Sequence, residues 1–176
     1  DLPIMAKATG GSEKDPVSGM KLLEAAARNT LNVSTSLAQQ NAMLLRGEIV
    51  AMPFYSVRVW AMREEGNKDI QMVIPEEGAL LVPYVVVAPK GVKDREATRQ
   101  WLNYVASAPP QLRGAESAGY LPANRNAVMS PRVQAQLGTS SFEELRQRLY
   151  QPDWKYITAQ HKNTVEQIEK MLAGIK

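Results

Sequence analysis

The sequence predicts an α/β fold in which a small mixed sheet is flanked by helices. The first observation is a pair of short apolar runs, Ile70–Ile74 and Leu80–Ala88, separated by the turn-forming residues Pro75–Gly78. Runs of about four to eight residues rich in Val, Ile and Tyr and bounded by Pro and Gly are typical of buried strands. The second observation is that helical spacing of apolar residues dominates the rest of the chain, and a small sheet covered by helices is an α/β layer structure.

Composition limits the classes of protein to which the chain can belong. Its 176 residues suffice for one domain with a sizeable core, and an apolar content of 44% is typical of a globular protein. The net charge of +3 is spread along the chain and does not favour nucleic acid as a partner. Without cysteine there is neither a disulfide framework nor a thiol nucleophile. No signal peptide opens the sequence, so we expect either a cytosolic protein or a sequence that begins after processing or truncation.

Two further strands are predicted in the first third of the chain. Residues Leu2–Ala6 are expected to form a short strand, and Glu48–Tyr55 a longer one in spite of Pro53. The longer strand would end at Tyr55, and Ser56 would cap the helix that follows. In open α/β sheets ligands bind at such strand ends, and the helix N-terminus offers free N–H groups to an anion.

Helices are predicted wherever a capping residue precedes apolar residues at helical spacing. They are expected to begin at Ser18, at the capping box Ser36–Gln39, at Ser56, at Asp94, after Pro110, at Ser130, at the capping box Ser141–Glu144 and at Pro152. Gly47 and Gly138 are expected to end two of them. The helix Glu96–Ser107 has an apolar stripe that includes Trp101, and the last helix has one that includes Trp154, so both tryptophans are expected to be largely buried.

The sequence contains no recognisable catalytic or metal-binding constellation. The only histidine, His161, lies between apolar residues of the last helix and is interpreted as a packed or interface residue. Glu76 and Glu77 are interpreted as solvated turn charges rather than an acid/base pair. No nucleophile elbow, dinucleotide-binding motif or P-loop is present. We therefore expect a protein that is not an enzyme and that binds no metal or cofactor.

A set of aromatic and polar residues lies at the predicted strand ends and loops. Its members are Phe54, Tyr55, Ser56, Arg58, Tyr84, Tyr120 and Asn124. Together they suit the binding of a small polar organic ligand without chemistry on it. For each residue taken singly, a packing or surface role is an equal alternative, and Arg58 is more typical of a solvated side chain.

Several segments, in order, carry a family resemblance. They are Arg46-Gly47-Glu48-Ile49-Val50, Ile74-Pro75-Glu76-Glu77-Gly78-Ala79, Val86-Val87-Ala88-Pro89-Lys90-Gly91-Val92, Ala97 with Trp101-Leu102-Asn103-Tyr104-Val105, and Gly119-Tyr120-Leu121-Pro122-Ala123-Asn124. From about Ser36 to the C-terminal helix, the chain thereby resembles the periplasmic solute-binding proteins of ABC transporters, in the spermidine/putrescine-binding group of extracellular family 1. The resemblance implies a type-II periplasmic-binding-protein lobe that captures a small polar solute in the periplasm and delivers it to an ABC permease by hinge closure.

The resemblance also implies a domain organisation. Mature proteins of this family are about twice as long and hold the ligand in a cleft between two α/β lobes. Residues 1–176 are accordingly expected to be a single lobe, the second of the two, with C-terminal helices over residues 141–174 and the first lobe missing. A lone lobe has half of the cleft and is expected to bind weakly or not at all.

The resemblance assigns roles to individual residues. Tyr55 aligns with an aromatic position that stacks on the ligand in polyamine binders, and Val82 and Tyr84 align with a tryptophan and an aspartate there. A buried ammonium without a carboxylate costs several kcal/mol, so Tyr84 in place of the acid does not favour a polyamine. Arg58, if it points inward, favours a carboxylate or phosphate, and Tyr120 is expected near the hinge. The predicted ligand-binding residues are Tyr55, Ser56, Arg58, Val82, Tyr84 and Tyr120.

One hypothesis from a different class stays open. The same lobe architecture serves as the ligand-sensing effector domain of bacterial transcription regulators. A helix-turn-helix would then precede the sequence, and the protein would dimerise through a sheet edge. The segments that carry the resemblance favour the transport hypothesis, and a metabolic enzyme is the least favoured class because no catalytic constellation is present.

Overall fold

The computed structural model describes residues 2–34 and 36–175 of the chain. Over these residues the protein is mostly helical, with one pair of two-residue strands. The elements are α1 (Leu2–Ala8), α2 (Val17–Ala27), α3 (Leu37–Leu45), α4 (Ser56–Glu64), β1 (Ala79–Leu80), α5 (Arg95–Ala106), α6 (Ala108–Ala118), α7 (Pro131–Leu137), α8 (Phe142–Gln147), β2 (Leu149–Tyr150) and α9 (Trp154–Ala173). This arrangement is compatible with part of an α/β domain.

The chain divides into two compact units. The first unit consists of the described residues of Asp1–Pro53, Ile74–Val82 and Arg148–Lys176, and the second of Phe54–Val73 and Pro83–Gln147. Each unit is therefore built from stretches that are not consecutive in the sequence. The single lobe expected over residues 1–176 stays a prediction.

In the first unit, α1 packs closely against α2. A Cβ atom on Gly19 would lie only 2.6 Å from the backbone nitrogen of Ala6, so the helices can approach this closely only at a glycine. Leu2 and Ala6 are both buried. The strand predicted at Leu2–Ala6 is therefore wrong: Leu, Met and Ala are strong helix formers, and helix packing gives their apolar side chains a place to be buried.

The sheet is a parallel pair in which Ala79 lies opposite Leu149 and Leu80 opposite Tyr150. The Ala79 N–H donates to the carbonyl of Arg148 at 3.1 Å, and the Leu81 N–H donates to that of Tyr150 at 2.8 Å. Of the strand predicted over Leu80–Ala88, only the first residue is part of this sheet.

The other predicted strands are also wrong. Glu48–Tyr55 and Ile70–Ile74 are irregular, and Val50 and Val73 within them are exposed. A strand is stable only when a neighbour satisfies its N–H and C=O groups, and neither of these two segments pairs with a strand among the described residues. Apolar runs that predict buried strands therefore lie in contact with solvent.

Most helix ends agree with the prediction. Ser36, Asp94 and Ser130 accept the backbone N–H of the third residue along the chain, at 3.3, 2.8 and 3.4 Å. Gly47 and Gly138 follow the ends of their helices with φ of 71° and 64°, a conformation that favours glycine. Local capping signals therefore predict these boundaries correctly.

Two predicted caps are wrong. Ser18 lies inside α2, where Pro16 holds the N-cap position, and Ser56 is the first residue of α4, where Tyr55 holds it. Neither helix has a side-chain cap hydrogen bond. Pro109 was expected only to end the preceding helix, but it lies in the first turn of α6. At that position a backbone N–H would have no partner within the helix, so proline is tolerated there.

The core of the second unit lies around Trp60. Its fully or nearly buried members are Val59, Trp60, Met62, Ala115, Ala127, Met129, Val133, Leu137 and Leu145. By contrast, α5 has no buried residue and Trp101 is exposed, so its predicted burial is wrong. Trp154 of α9 is half-buried rather than largely buried. Both stripes have the predicted helical spacing, but burial also requires a packing partner.

Candidate functional site

Three predicted ligand-binding residues lie at the start of α4. Tyr55 is the N-cap residue, Ser56 begins the helix and Arg58 lies in its first turn. Tyr55 and Arg58 are exposed, Ser56 is half-buried, and the Phe54 ring lies 6.4 Å from the Tyr55 ring. An irregular segment precedes them in place of the predicted strand, so the expected strand-end geometry is absent here. Their role in ligand binding stays a prediction.

Two other predicted residues, Tyr84 and Tyr120, are in direct contact. Their rings form an edge-to-face pair with centroids 5.3 Å apart and planes at 89°. Both side chains are exposed, so the pair presents aromatic surface to solvent. Edge-to-face packing stabilises a fixed relative orientation of two rings. The remaining predicted residue, Val82, is exposed and belongs to the first unit, whereas the other five belong to the second.

The loop that carries Tyr120 is held by amide hydrogen bonds. The Asn124 side chain donates to the carbonyl of Ala106 at 2.8 Å and accepts from the N–H of Asn126 at 2.9 Å. The side-chain oxygen of Gln111 accepts the N–H groups of Ala123 and Asn124 at 2.7 and 2.8 Å. Asn124, a candidate ligand contact by sequence, thus uses its side chain to position the loop.

Tyr120 also follows a closely packed glycine. Gly119 ends α6 with φ of 69°, and a Cβ atom there would lie 2.7 Å from ring atoms of Trp60. The guanidinium of Arg132 lies 5.1 Å from the centroid of the same Trp60 ring. Tyr120 is therefore attached to a closely packed part of the second unit.

The acidic residues beside this core are engaged in ion pairs. Arg132 binds the carboxylate of Glu64 at 2.9 Å, lies 3.9 Å from that of Glu116, and donates to the Glu116 carbonyl at 2.7 Å. Arg132 therefore offsets part of the negative charge of both carboxylates.

A groove of ≈ 600 Å³ lies between the segment Ala88–Val92 and α5. Lys90, Arg95 and Arg99 line it, and none of its described lining residues is acidic. Arg99 donates to both carboxylate oxygens of Glu96 at 3.0 and 2.7 Å, which lowers the pKa of Glu96. None of the six predicted residues lines this groove. Arg95 and Arg99 are four residues apart and therefore lie on one face of α5. This spacing is the sequence signal for the basic side of the groove.

In the first unit, one carboxylate organises a cluster of polar groups. Glu13 accepts hydrogen bonds from the Tyr150 hydroxyl and from the backbone N–H of Asp153, the latter at 2.8 Å. These bonds lower the pKa of Glu13, and the bond to Glu13, together with burial, raises the pKa of Tyr150 to about 12. The ammonium of Lys7 lies 5.0 Å from the Tyr150 ring centroid. The cluster joins a loop, β2 and the cap of α9 and therefore has a structural role.

The described part of the chain offers no grouping of three or more His, Cys, Asp or Glu side chains that could hold a metal ion. His161 is exposed on α9, so the packed position is not observed, and the alternative position at an interface stays a prediction. No helix among these residues has both the length and the apolar content needed to cross a membrane.

Comparison with known proteins gives one match. A family model described as bacterial extracellular solute-binding protein matches residues 3–138, which is more than half of the chain. No curated protein and no solved structure matches. The matched range includes Tyr84, Tyr120 and Trp60.

Proposed function

Because the chain belongs to the bacterial extracellular solute-binding proteins, we propose that it captures a small polar organic solute in the periplasm and delivers it to an ABC permease. The observation that carries this proposal is the family match over residues 3–138. Membership of the family supports a substrate-binding role in ABC import and a location outside the cytoplasm. In this role the protein binds and releases its solute without covalent chemistry and is not an enzyme.

The Tyr84–Tyr120 pair is the part of the proposed site with the strongest geometric support. Both rings are exposed, their mutual angle is set by the edge-to-face contact, and the Tyr120 loop is held by Gln111 and Asn124. A preorganised aromatic surface lowers the conformational entropy lost on binding. Tyr55, Ser56 and Arg58 are proposed as further contacts in the second unit, Tyr55 on the basis of the resemblance and the other two because they lie at the start of α4. Val82 of the first unit is a candidate on the basis of the resemblance.

The charges favour a neutral or anionic solute over a bare polyamine. Tyr84 stands where the polyamine-binding group has an acid, and Glu64 and Glu116 are engaged by Arg132. Tyr84 itself therefore supplies no carboxylate to a buried ammonium. Arg58 has no ion-pair partner among the described residues and would add positive charge.

We also propose that this chain forms one side of the binding cleft. The motivation is the resemblance of its segments to the second lobe of a two-lobed receptor. A facing lobe, supplied by residues outside these 176, would close over the solute by hinge movement and exclude water.

The test begins with the protein isolated from its natural host. A solute released from it by denaturation is identified by mass spectrometry, and uptake of that solute is measured in cells with and without the gene. We expect uptake to fall in the deletion strain, and to be restored by wild type and by Trp101→Ala, an exposed aromatic control. The double variant Tyr84→Ala/Tyr120→Ala should not restore it. Unchanged uptake in the deletion strain would refute a transport role.

A further inference from the structure

The C-terminal end of α6 leads directly to Tyr120. Gly119 is the residue after the helix, and its N–H donates to the carbonyl of Ala115 at 3.0 Å. The N–H of Tyr120 donates to the carbonyl of Gly114 at 3.4 Å. These two N–H groups follow the helix, and neither reaches the carbonyl of Glu116, one of the last carbonyls that a helix leaves without an intrahelical partner. A donor from elsewhere in the fold can therefore stabilise the helix end at this carbonyl.

The Arg132 side chain supplies such a donor. Its guanidinium donates to the carbonyl of Glu116 at 2.7 Å and to the carboxylate of Glu64 at 2.9 Å. The same guanidinium lies 5.1 Å from the centroid of the Trp60 ring. A cation at a helix C-terminus also interacts favourably with the helix dipole. Contacts with both α4 and α6 therefore hold the guanidinium of Arg132, a residue of α7, at the end of α6.

Gly119 packs against the same tryptophan ring as Arg132. A Cβ atom on Gly119 would lie 2.7 Å from ring atoms of Trp60, so this ring fixes the position of the backbone that precedes Tyr120. The residues of this arrangement and Tyr84 all belong to the second unit. Arg132 thus joins three helices at the point from which the Tyr120 ring reaches Tyr84.

We propose that Arg132 is a positioning residue, which caps the C-terminus of α6 and thereby fixes Tyr120 in edge-to-face contact with Tyr84. Without the guanidinium, the end of α6 loses a charge-assisted hydrogen bond and its link to α4, and the Tyr120 ring samples more orientations. The consequence for solute binding rests on the proposed function. A ring pair that is not preorganised must be ordered when the solute binds, which lowers the affinity. Arg132 acts through Tyr120 and not by contact with the solute.

The first experiment needs no solute. Nuclear Overhauser cross-peaks between the ring protons of Tyr84 and Tyr120 are recorded by NMR on the whole tyrosine-labelled protein as its natural host encodes it. Wild type should show these cross-peaks, and Arg132→Met, which keeps the apolar stem of the side chain, should lose most of their intensity. Arg99→Met is the matched control, since Arg99 is an exposed arginine of the same unit that is paired with Glu96. It should leave the cross-peaks unchanged.

Glu64→Gln provides a second variant that leaves Arg132 in place. It weakens the ion pair that holds the guanidinium, so the cross-peaks should fall in the same direction as in Arg132→Met but by less. Circular dichroism checks that the variants are folded, and Glu64→Gln decides the question if Arg132→Met is not. Cross-peaks of wild-type intensity in the folded variants would overturn the proposal.

The second experiment measures the affinity for the solute that denaturation releases from the natural protein, by isothermal titration calorimetry. Arg132→Met should weaken binding about tenfold, the order of loss expected when a side chain must be immobilised on binding. In the Tyr120→Ala background, Arg132→Met should cause no further loss. A loss of equal size in that background would overturn the proposal, because Arg132 would then act independently of Tyr120. A wild-type protein that does not bind this solute would contradict the proposed function, whereas the cross-peaks still decide the positioning role.

Discussion

Two parts of the second unit have similar apolar signals and opposite outcomes. The helices α4, α6 and α7 enclose Trp60, which is 3% exposed, whereas Trp101 on α5 is 55% exposed. In both parts the spacing of apolar residues along the sequence predicts a buried face. The difference is that the neighbours of the first part cover its apolar face, whereas the described neighbours of α5 leave Trp101 exposed. Periodicity therefore predicts which face is apolar, and packing partners decide whether it is buried.

The comparison predicts its largest effect at the two tryptophans. Trp60→Ala should destabilise the protein by about 3–5 kcal/mol, because it opens a cavity in the core. Trp101→Ala should change the free energy of unfolding by less than about 1 kcal/mol, because that side chain is mostly in water. Urea denaturation of both variants measures the difference. Equal losses would show that the α5 face is covered in solution.

A smaller effect is expected at two glycines. Gly119→Ala should cost about 1–3 kcal/mol more than Gly138→Ala, because its Cβ would overlap the Trp60 ring. Both glycines have positive φ, so the backbone strain is common to the pair, but no atom lies within 4 Å of a Cβ on Gly138. The difference in melting temperature between the two variants measures the cost of the overlap with the Trp60 ring. Matching melting temperatures would contradict close packing at Gly119.

Helix caps should have effects that do not depend on burial. Asp94→Ala removes a cap hydrogen bond of 2.8 Å at the exposed helix α5 and should cost about 1 kcal/mol. Ser56→Ala removes no cap hydrogen bond and should be nearly neutral. Chemical denaturation compares the two, and a larger loss at Ser56 would indicate that its hydroxyl has a partner in solution.

In the first unit, the stabilisation provided by Glu13 is expected to depend on pH. The pKa of Glu13 is lowered by folding, so its stabilisation is present above its ordinary pKa of 4.5 and is lost as the pH falls through the lower, folded value. Glu13→Gln should therefore cost about 1 kcal/mol at neutral pH and less in acid. Melting temperatures of both proteins across this range test the expectation, and a difference independent of pH would contradict it.

Tyr150 titrates in the opposite sense. Its pKa rises from 10.0 to about 12 on folding, so the stabilisation is complete below pH 10.0 and is lost as the pH rises through about 12. The wild-type protein should therefore lose stability in strong alkali more steeply than Tyr150→Phe. Parallel alkaline denaturation curves for the two proteins would count against the Glu13–Tyr150 hydrogen bond.

The helices could be predicted from the sequence because their signals are local. The caps at Ser36, Asp94 and Ser130 each act on the residue three positions later. The strands could not, because β1 pairs with Leu149 and Tyr150, far along the chain, and nothing near Ala79 indicates that partner. Apolar runs without such a partner remain irregular.

The candidate site was predictable only as a set of residue types. Aromatic residues in loops indicated Tyr84 and Tyr120, but their contact with each other depends on the tertiary structure. Asn124 was indicated as a ligand contact, whereas its side chain binds the carbonyl of Ala106 and holds the loop. Composition alone does not separate a residue that contacts ligand from one that positions another.

The most direct test of the solute-binding account is amide chemical-shift mapping by NMR on the whole isotope-labelled protein as its natural host encodes it, to which the solute released from the natural protein is added. We expect saturable shifts that are largest around Tyr84 and Tyr120 and that disappear in the Tyr84→Ala/Tyr120→Ala variant. Shifts centred on the groove between Ala88–Val92 and α5, or no saturable shift near the tyrosine pair, would contradict the proposed site.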